Sequence, residues 1–250
     1  MKSELSIPKR GTKALYRGLV NMKKIGKMKE AAWLLYNVMC ALGVVLCTKA
    51  SFGLSMIAAP PYILHTVLSK SLSFFTQGNT EYVFQGCLLI LVCILIKKVK
   101  LRIILSFITS LFFGVLIDLW AFALGGNGAY EELWTRIIAF IIGEILIAMS
   151  IALCFRSYLP PQVSELVVTE VAKRYKFDIN RVKLVSDASY FTLSLVLSLT
   201  LTGGLTGIGV GTVIVTLINS HAIRLSGKLL DKLFVFDPLF PKLEEFFTDK

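Results

Sequence analysis

The sequence has few of the residues on which metal, redox and acid–base chemistry usually depend. Its 250 residues include two histidines, His65 and His221, and five cysteines. No two cysteines have the CxxC spacing, and neither histidine is near enough to a cysteine to suggest a metal site. Enzyme centres within membranes need a clustered set of ligands or a nucleophile with its base. The pattern therefore predicts a protein that is not an enzyme and that carries no metal or cofactor.

Charged residues are also scarce, and most of them are basic. Only 17% of the residues are charged, whereas 55% are apolar and the mean hydropathy is +0.72. A soluble domain of this length has no core large enough to hide so much apolar surface. The formal net charge is nevertheless +11, so the basic residues need positions away from lipid. The composition predicts an integral membrane protein.

Six apolar runs approach or reach the length of about 20 residues that a helix needs to cross a bilayer. They are Ala31–Cys47, Tyr82–Ile96, Leu101–Leu124, Trp134–Phe155, Leu184–Leu201 and Leu205–Ile223. Only Thr202-Gly203-Gly204 separates the last two runs, which predicts a tight turn between antiparallel spans. The fold class predicted is an all-α polytopic membrane protein with six transmembrane helices.

The basic residues are divided unevenly between the two sides that six spans define. Twenty-four of the 27 Lys and Arg residues precede the first span, follow the last, or lie in the loops after the second and fourth. Lys49, Lys70 and Arg136 fall on the other side. Because basic loops remain in the cytoplasm, both termini are predicted to be cytoplasmic, in a multi-pass protein of the cell membrane.

The segments outside the spans carry much of this charge. Residues 1–30 form a basic N-terminal segment, either an amphipathic helix on the anionic inner leaflet or a disordered leader. Residues 224–250 are predicted to form a cytoplasmic amphipathic tail with a helix from Arg224 onward. Because the charge is spread over four segments with no recognisable module, nucleic acid is not predicted as a partner.

An internal repeat divides the membrane region into two halves, residues 31–125 and 134–223. Leu46-Cys47-Thr48-Lys49 reappears as Leu153-Cys154-Phe155-Arg156, and each copy is followed by a helix-breaking corner, a short helical stretch and two further spans. Three spans are an odd number, so the second half enters the membrane inverted. In secondary transporters such repeats hold the substrate at mid-membrane between the halves.

Two alternatives remain open for this architecture. The duplication either built a transporter or only a stable helical bundle. The short stretches Ser55–Leu68 and Gln162–Tyr175 either re-enter the membrane or lie on its surface, because both are well short of a full span.

Polar side chains within the spans and short stretches are the candidate substrate-binding residues, since an intramembrane charge costs about 2.5–3.5 kcal/mol. Glu144 lies near the middle of the fourth span and Asp187 one turn inside the fifth, and Gln85 stands 102 residues before Asp187 in the first repeat. The full set is Glu144, Asp187, Gln85, Ser55, His65 and Asn219. Glu144 has a structural alternative, a protonated acid bonded to a neighbouring helix.

Two short patterns resemble the YczE/YitT-type small bacterial integral membrane proteins. They are KASFGLS at Lys49–Ser55 and TGIGVGTVIVTLI at Thr206–Ile218, and the resemblance covers roughly residues 35–225. It implies a multi-spanning plasma-membrane protein of largely unassigned biochemistry. Asn219 and the corner at Leu159-Pro160-Pro161 depart from the family pattern.

These observations predict a small-molecule permease or exporter that works by alternating access, with Glu144, Asp187 and Gln85 lining the path. The alternative is a membrane subunit that binds a ligand or lipid and acts with a partner protein, without transport of its own. The predicted partners are the lipid bilayer and an unknown small molecule. A homo-oligomer or a partner membrane protein stays an open alternative.

Overall fold

The computed structural model describes residues 29–97, 99, 101–126 and 128–248, with the backbone alone at residues 180 and 248. The predicted basic segment 1–30 lies outside these residues except for Lys29 and Glu30. Nine α-helices form the regular structure of the described chain. They are α1 (Lys29–Ala50), α2 (Ala59–Leu68), α3 (Gln77–Ile96), α4 (Leu101–Ala123), α5 (Leu133–Cys154), α6 (Val163–Tyr175), α7 (Ile179–Thr202), α8 (Val210–Leu233) and α9 (Pro241–Thr248).

Five helices of the described chain are long and apolar enough to cross a membrane. They are α1, α3, α4, α5 and the Arg181–Thr202 portion of α7. Large apolar side chains on these helices point outwards, among them Ile94, Val115 and Leu184, which are 62–71% exposed. A solvated surface of this kind is unfavourable, whereas hydrocarbon covers it without cost. The protein is therefore a multi-pass membrane protein.

The predicted sixth span, Leu205–Ile223, differs from the helix that the structure contains. Helix α8 begins at Val210 and continues to Leu233, so the tail helix predicted from Arg224 is the second half of α8. Its middle carries Asn219-Ser220-His221 and Arg224, and α8 is not among the five apolar helices. Gly203 and Gly207, which precede α8, have positive φ angles and lie in the loop between α7 and α8.

The centre of the bundle is the contact between α1 and α5, the first helix of each half. These helices cross where Gly43 meets Gly143, so closely that a Cβ atom on Gly43 would lie 2.7 Å from the Gly143 carbonyl oxygen. Small residues at such crossings let two membrane helices approach until their backbones touch. The close approach fixes the two halves against each other.

The remaining helices pack around this pair in matching positions. Helix α4 packs along α1, and α8 packs along α5. Each short helix packs on a long helix of the other half: α6 packs on α3, and α2 packs on α7. The two halves differ in the contact between their last two long helices. Helices α3 and α4 pack closely on each other, whereas α8 lies along α5 instead of along α7. The tight turn predicted at Thr202-Gly203-Gly204 is a longer connection, residues 203–209, and α7 and α8 do not pack along each other.

Helix α6 begins deep inside the bundle. The backbone N–H groups of Val163 and Ser164 donate to Ser110 Oγ at 3.2 Å and Gln85 Oε1 at 2.9 Å. Ser110 and Gln85 lie about 14 and 12 Å from the nearer ends of α4 and α3, at 1.5 Å per residue. At the other end of α6, the Tyr175 hydroxyl donates to the Leu95 carbonyl. Helix α6 therefore starts in the interior of the protein, and whether it re-enters the membrane stays a prediction.

The approach to α2 is also inside the bundle. Met56 and Ile57 pack against the buried cluster that contains Phe84, Leu88 and Tyr190. Pro60 and Pro61 occupy the first turn of α2, where a missing N–H leaves no unsatisfied donor. Both short helices thus start in the interior of the protein, where protein groups replace water.

The N-terminal end of α1 and the C-terminal segment meet at one end of the bundle. Glu30 accepts from the backbone N–H groups of Leu239 and Phe240 and from the Tyr158 hydroxyl, and Lys29 forms an ion pair with Glu244. Burial and the hydrogen bond to Glu30 raise the pKa of the Tyr158 hydroxyl. The described ends of the chain therefore lie on the same side.

The opposite end is closed by hydrogen bonds between the helix breaks. Leu54 N–H donates to the Gly207 carbonyl at 2.9 Å, and Gly211 N–H donates to the Phe52 carbonyl at 2.8 Å. The Lys49 ammonium donates to the carbonyls of Gly126 and Gly128. This arrangement joins the loop before α8 to the break before α2.

Reporter fusions test whether α8 crosses the membrane. We expect green fluorescent protein to fluoresce and alkaline phosphatase to be inactive at the C-terminus of the full chain, because six spans return it to the cytoplasm. Fusions placed after Thr206 serve as the matched control and should behave in the opposite way. Active phosphatase at the full-length C-terminus would contradict a sixth span.

Substitution at the central crossing tests the contact between the halves. We expect Gly43→Ala to lower the free energy of unfolding by about 1–3 kcal/mol, because the added methyl group meets backbone. Gly128→Ala is the matched control, since no atom lies within 4 Å of a Cβ there. Thermal unfolding in detergent measures both, and equal melting temperatures would contradict the close crossing.

Candidate functional site

A cavity of about 380 Å³ lies between the two halves of the bundle. Helices α1 and α3 to α8 and the break before α2 all contribute side chains to its wall. Its size is at the lower end of the range for small-molecule sites. The polar residues of the wall include Ser55, Glu81, Gln85, Gln162, Ser164, Glu165, Lys183, Asp187, Thr216, Asn219 and Ser220.

The cavity exists because α7 and α8 pack on different partners. Leu184 and Ala188 line it from α7, and Val215 and Thr216 line it from α8. In the first half, α3 and α4 fill the corresponding space by packing directly on each other, with Gly78 against Gly114. Because α7 and α8 do not pack on each other, a space remains in the second half, and polar side chains from both halves reach it.

Two polar pairs at matching sequence positions face this space. Glu81 and Gln85 stand one turn apart on α3, and Lys183 and Asp187 stand one turn apart on α7, each 102 residues later. Within the first pair, Gln85 Nε2 donates to Glu81 Oε1 at 3.0 Å. Within the second, Lys183 Nζ lies 3.2 Å from Asp187 Oδ1. One polar turn of α3 and one of α7 therefore line the cavity.

Both pairs also contact the first turn of α6. Gln85 accepts from the Ser164 N–H and donates to Ser164 Oγ at 3.3 Å. Lys183 Nζ lies 3.5 Å from Glu165 Oε1, so one ammonium group lies between two carboxylates. The first turn of α6 is thus bonded to Gln85 from the first half of the protein and to Lys183 from the second.

The corner before α6 is fixed by its carbonyl groups. The Pro160 carbonyl accepts from Trp33 Nε1 at 3.1 Å and from Thr109 Oγ1 at 3.0 Å. Gln162, which follows this corner, is 5% exposed and lines the cavity. Its Nε2 atom has no hydrogen-bond partner among the described residues. A buried amide donor without a partner is costly.

Apolar side chains complete the wall. Tyr36, Val44, Phe113, Met56 and Ile147 line the cavity together with the polar groups. Aromatic and aliphatic walls with a few polar groups are typical of small-molecule sites. The described residues contain no group of three or more His, Cys, Asp or Glu side chains that could hold a metal ion. The arrangement therefore suits an organic ligand.

Four of the residues predicted from the sequence reach the cavity. Gln85 and Asp187 face it from α3 and α7, Ser55 lines it from the break before α2, and Asn219 lines it from α8. These positions bring together residues up to 164 apart in the sequence. Whether they bind a substrate stays a prediction.

Glu144 and His65 lie elsewhere. Glu144 is half-buried at the contact of α1 with α5, where the Cys47 thiol donates to its Oε1 atom at 3.3 Å. Because α5 turns this side chain towards α1, Glu144 does not line the cavity. A bond to a neighbouring helix was the structural alternative that the sequence left open for Glu144. His65 is buried on α2 with Nδ1 2.7 Å from the Phe75 carbonyl oxygen, which holds the loop before α3.

The sequence reasoning missed Glu81, Glu165 and Lys183. Glu81 stands next to the predicted start of the second span, and Lys183 was counted among the loop charges. The same 102-residue offset that relates Gln85 to Asp187 also relates Glu81 to Lys183. That relation was a usable signal. No sequence signal indicated Glu165 and Gln162, because only the interior position of the start of α6 brings them to the cavity.

Comparison with known proteins gives a family match but no assigned activity. The sequence model of a family described as "Family of unknown function (DUF6198)" matches residues 28–228. The chain is 27% identical over 198 residues to "Uncharacterized protein YyaS" from Bacillus subtilis (strain 168), which covers 78% of this chain and 90% of that protein. No solved structure matches the chain. The YczE/YitT resemblance stays a prediction.

Substitution of Gln85 tests its role in holding the start of α6. We expect Gln85→Leu to lower the free energy of unfolding by about 1–3 kcal/mol, because Ser164 N–H and Glu81 lose their partner. Glu81→Gln is the matched control, since an amide oxygen still accepts from Gln85. Equal melting temperatures for Gln85→Leu and the wild type would show that the start of α6 does not depend on this contact.

Proposed function

The chain belongs to the DUF6198 family, and since that family is one of unknown function, we propose from the structure that the protein is a small-molecule permease or exporter. The single observation that carries this proposal is the cavity between the halves, in which Glu81, Lys183 and Asp187 are gathered inside a bundle of apolar helices. Ionisable groups at such depth are characteristic of substrate and ion pathways.

An inverted repeat supports this function. We infer that α1–α4 and α5–α8 are the two copies, with α8 as the sixth span. The packing supports the inference, since α4 flanks α1 as α8 flanks α5, and α6 packs on α3 as α2 packs on α7. In transporters built from inverted repeats, broken helices begin at mid-membrane beside the substrate. Helices α2 and α6 both begin in the interior next to this cavity.

The difference between the halves supports alternating access. Helices α3 and α4 are closed on each other, whereas α7 and α8 are apart. If α7 and α8 closed on each other while α3 and α4 moved apart, the cavity would close on one side of the membrane and open on the other. The first half and middle of α8 (residues 215–223) and the start of α7 line the cavity, and hydrogen bonds close the end at Gly207 and Phe52. We assign this conformation to the inward-facing state.

The orientation follows from the charge distribution. Among the described residues, Arg102 and Arg156 contact residues near the C-terminus at the end where Glu30 also bonds to them, and basic loops remain in the cytoplasm. We assign this end to the cytoplasm, with both termini there. The resemblance to YczE/YitT-type proteins agrees with a plasma-membrane location.

Transport by the purified protein tests the proposal. Proteoliposomes are incubated with a defined mixture of amino acids, amines, organic acids, sugars and nucleosides, and their contents are measured by mass spectrometry. We expect at least one compound to accumulate above the level in empty liposomes, because the cavity offers a path between the halves. If compounds bind the purified protein but none enters, the partner-dependent binding subunit is the better function.

A cross-link between α7 and α8 serves as the control for the mechanism. Ala188→Cys and Thr216→Cys introduce thiols on the two cavity walls, in a background without the native cysteines. Oxidation of the double variant should trap one conformation and stop transport, and reduction should restore it. Each single variant is the matched control. Unchanged transport in the oxidised double variant, with the disulfide present, would contradict movement of α7 against α8.

A further inference from the structure

We propose that the cavity binds a small organic cation that carries a hydrogen-bond acceptor, with Glu81 as its counter-charge. This inference deepens the permease proposal by naming its substrate class and rests on it for the passage of the ligand across the membrane. Binding itself can be tested without transport.

The charges of the cavity wall favour a cation. Three carboxylate side chains line it, Glu81, Glu165 and Asp187, and Lys183 is the single Lys or Arg side chain among the lining residues. Lys183 lies within 3.5 Å of a carboxylate oxygen on each of Glu165 and Asp187 and so belongs to those two. Glu81 is therefore the carboxyl group of the wall that is not paired with a Lys or Arg of the described residues.

Glu81 is the carboxylate without a counter-charge. It is 6% exposed, and its hydrogen-bond partner in the described chain is the neutral amide of Gln85. Among the described residues, no Lys or Arg forms an ion pair with it. A buried carboxylate is stabilised most by an opposite charge nearby. A cationic ligand in the cavity would provide that charge.

An anionic ligand is disfavoured because the helix starts around the cavity are already satisfied. Helix N-termini bind anions through free N–H groups. At α6, Val163 and Ser164 donate to Ser110 and Gln85. At α2, Ala58 and Ala59 donate to the Ser55 carbonyl, and the next two residues are prolines. Neither helix start offers the row of free donors that an anion requires.

Gln162 shows what else the ligand needs. Gln162 lines the cavity and its Nε2 donor is buried without a partner among the described residues, so a change of side-chain rotamer would bring this donor to a hydroxyl, carbonyl or ether oxygen of a bound ligand. Tyr36, Phe113 and Met56 supply apolar surface for the carbon portion, and aromatic faces attract cations. A metal ion would use neither feature. The combination points to an amine or a quaternary ammonium compound with a neighbouring oxygen.

Equilibrium binding to the full chain in lipid nanodiscs tests this inference. The probes are matched by shape: choline against its neutral carbon isostere neohexyl alcohol and the anion tert-butylacetate, and phenethylamine against hydrocinnamate. We expect at least one cation to bind about tenfold or more tightly than its isosteres, because only the cation neutralises Glu81. If no cation binds more tightly than its matched isostere, the inference is wrong.

Two variants locate the site. Glu81→Gln keeps the size of the side chain and the bond to Gln85, and it should weaken cation binding about tenfold with little change in melting temperature. Glu144→Gln is the matched control, because it removes a carboxylate from a neighbouring helix outside the cavity. Equal weakening by both variants, or by neither, would overturn the role of Glu81.

The acceptor is tested separately at Gln162. Choline should bind more tightly than propyltrimethylammonium, which lacks the hydroxyl group, and Gln162→Met should abolish that difference. A preference that survives in the variant would contradict the assigned contact. Transport is scored independently: cations that bind without being moved would overturn the permease and keep the cation site, whereas movement of anions or neutral compounds alone would do the reverse.

Discussion

A helix that begins in the middle of a membrane must have its first N–H groups satisfied by protein, because hydrocarbon offers no hydrogen-bond partner. This constraint governs the centre of the molecule. Ser110 and Gln85 accept from the first residues of α6, and Trp33 and Thr109 donate to the carbonyl of the corner before it. Without these bonds the chain could not turn inside the bundle, and no polar group of α6 would reach the cavity.

The same constraint explains why the cavity is polar on an otherwise apolar framework. A break at mid-membrane is tolerated inside protein or beside a water-filled space. The protein uses both means: the close α1–α5 crossing at Gly43 and Gly143 provides a tight interior, and the separation of α7 from α8 provides the space. Lys183 and Asp187 line this space together with Glu81 and Gln85, so α3 and α7 both supply polar side chains to one site.

Sequence reasoning was most successful where a residue's role depends on neighbours along the chain. Apolar runs predicted the cores of α1, α3, α4, α5 and α7, because a helix that crosses lipid must be apolar over its whole length. The offset of 102 residues predicted that Gln85 and Asp187 occupy matching places. It was least successful for Glu144. A charge at this depth in a span is costly, but the direction in which the side chain points depends on the partner helix.

The sequence by itself determined that the chain is helical and multi-pass, and it predicted a repeat and a side for the basic residues. These properties follow from composition and from spacing along one helix. The tertiary structure alone decided that α6 starts in the interior of the bundle, that α8 packs on α5 and not on α7, and that Glu81, Gln162 and Glu165 line one cavity. The physical reason is that packing between helices depends on which small surfaces fit closely in space, as Gly43 and Gly143 do.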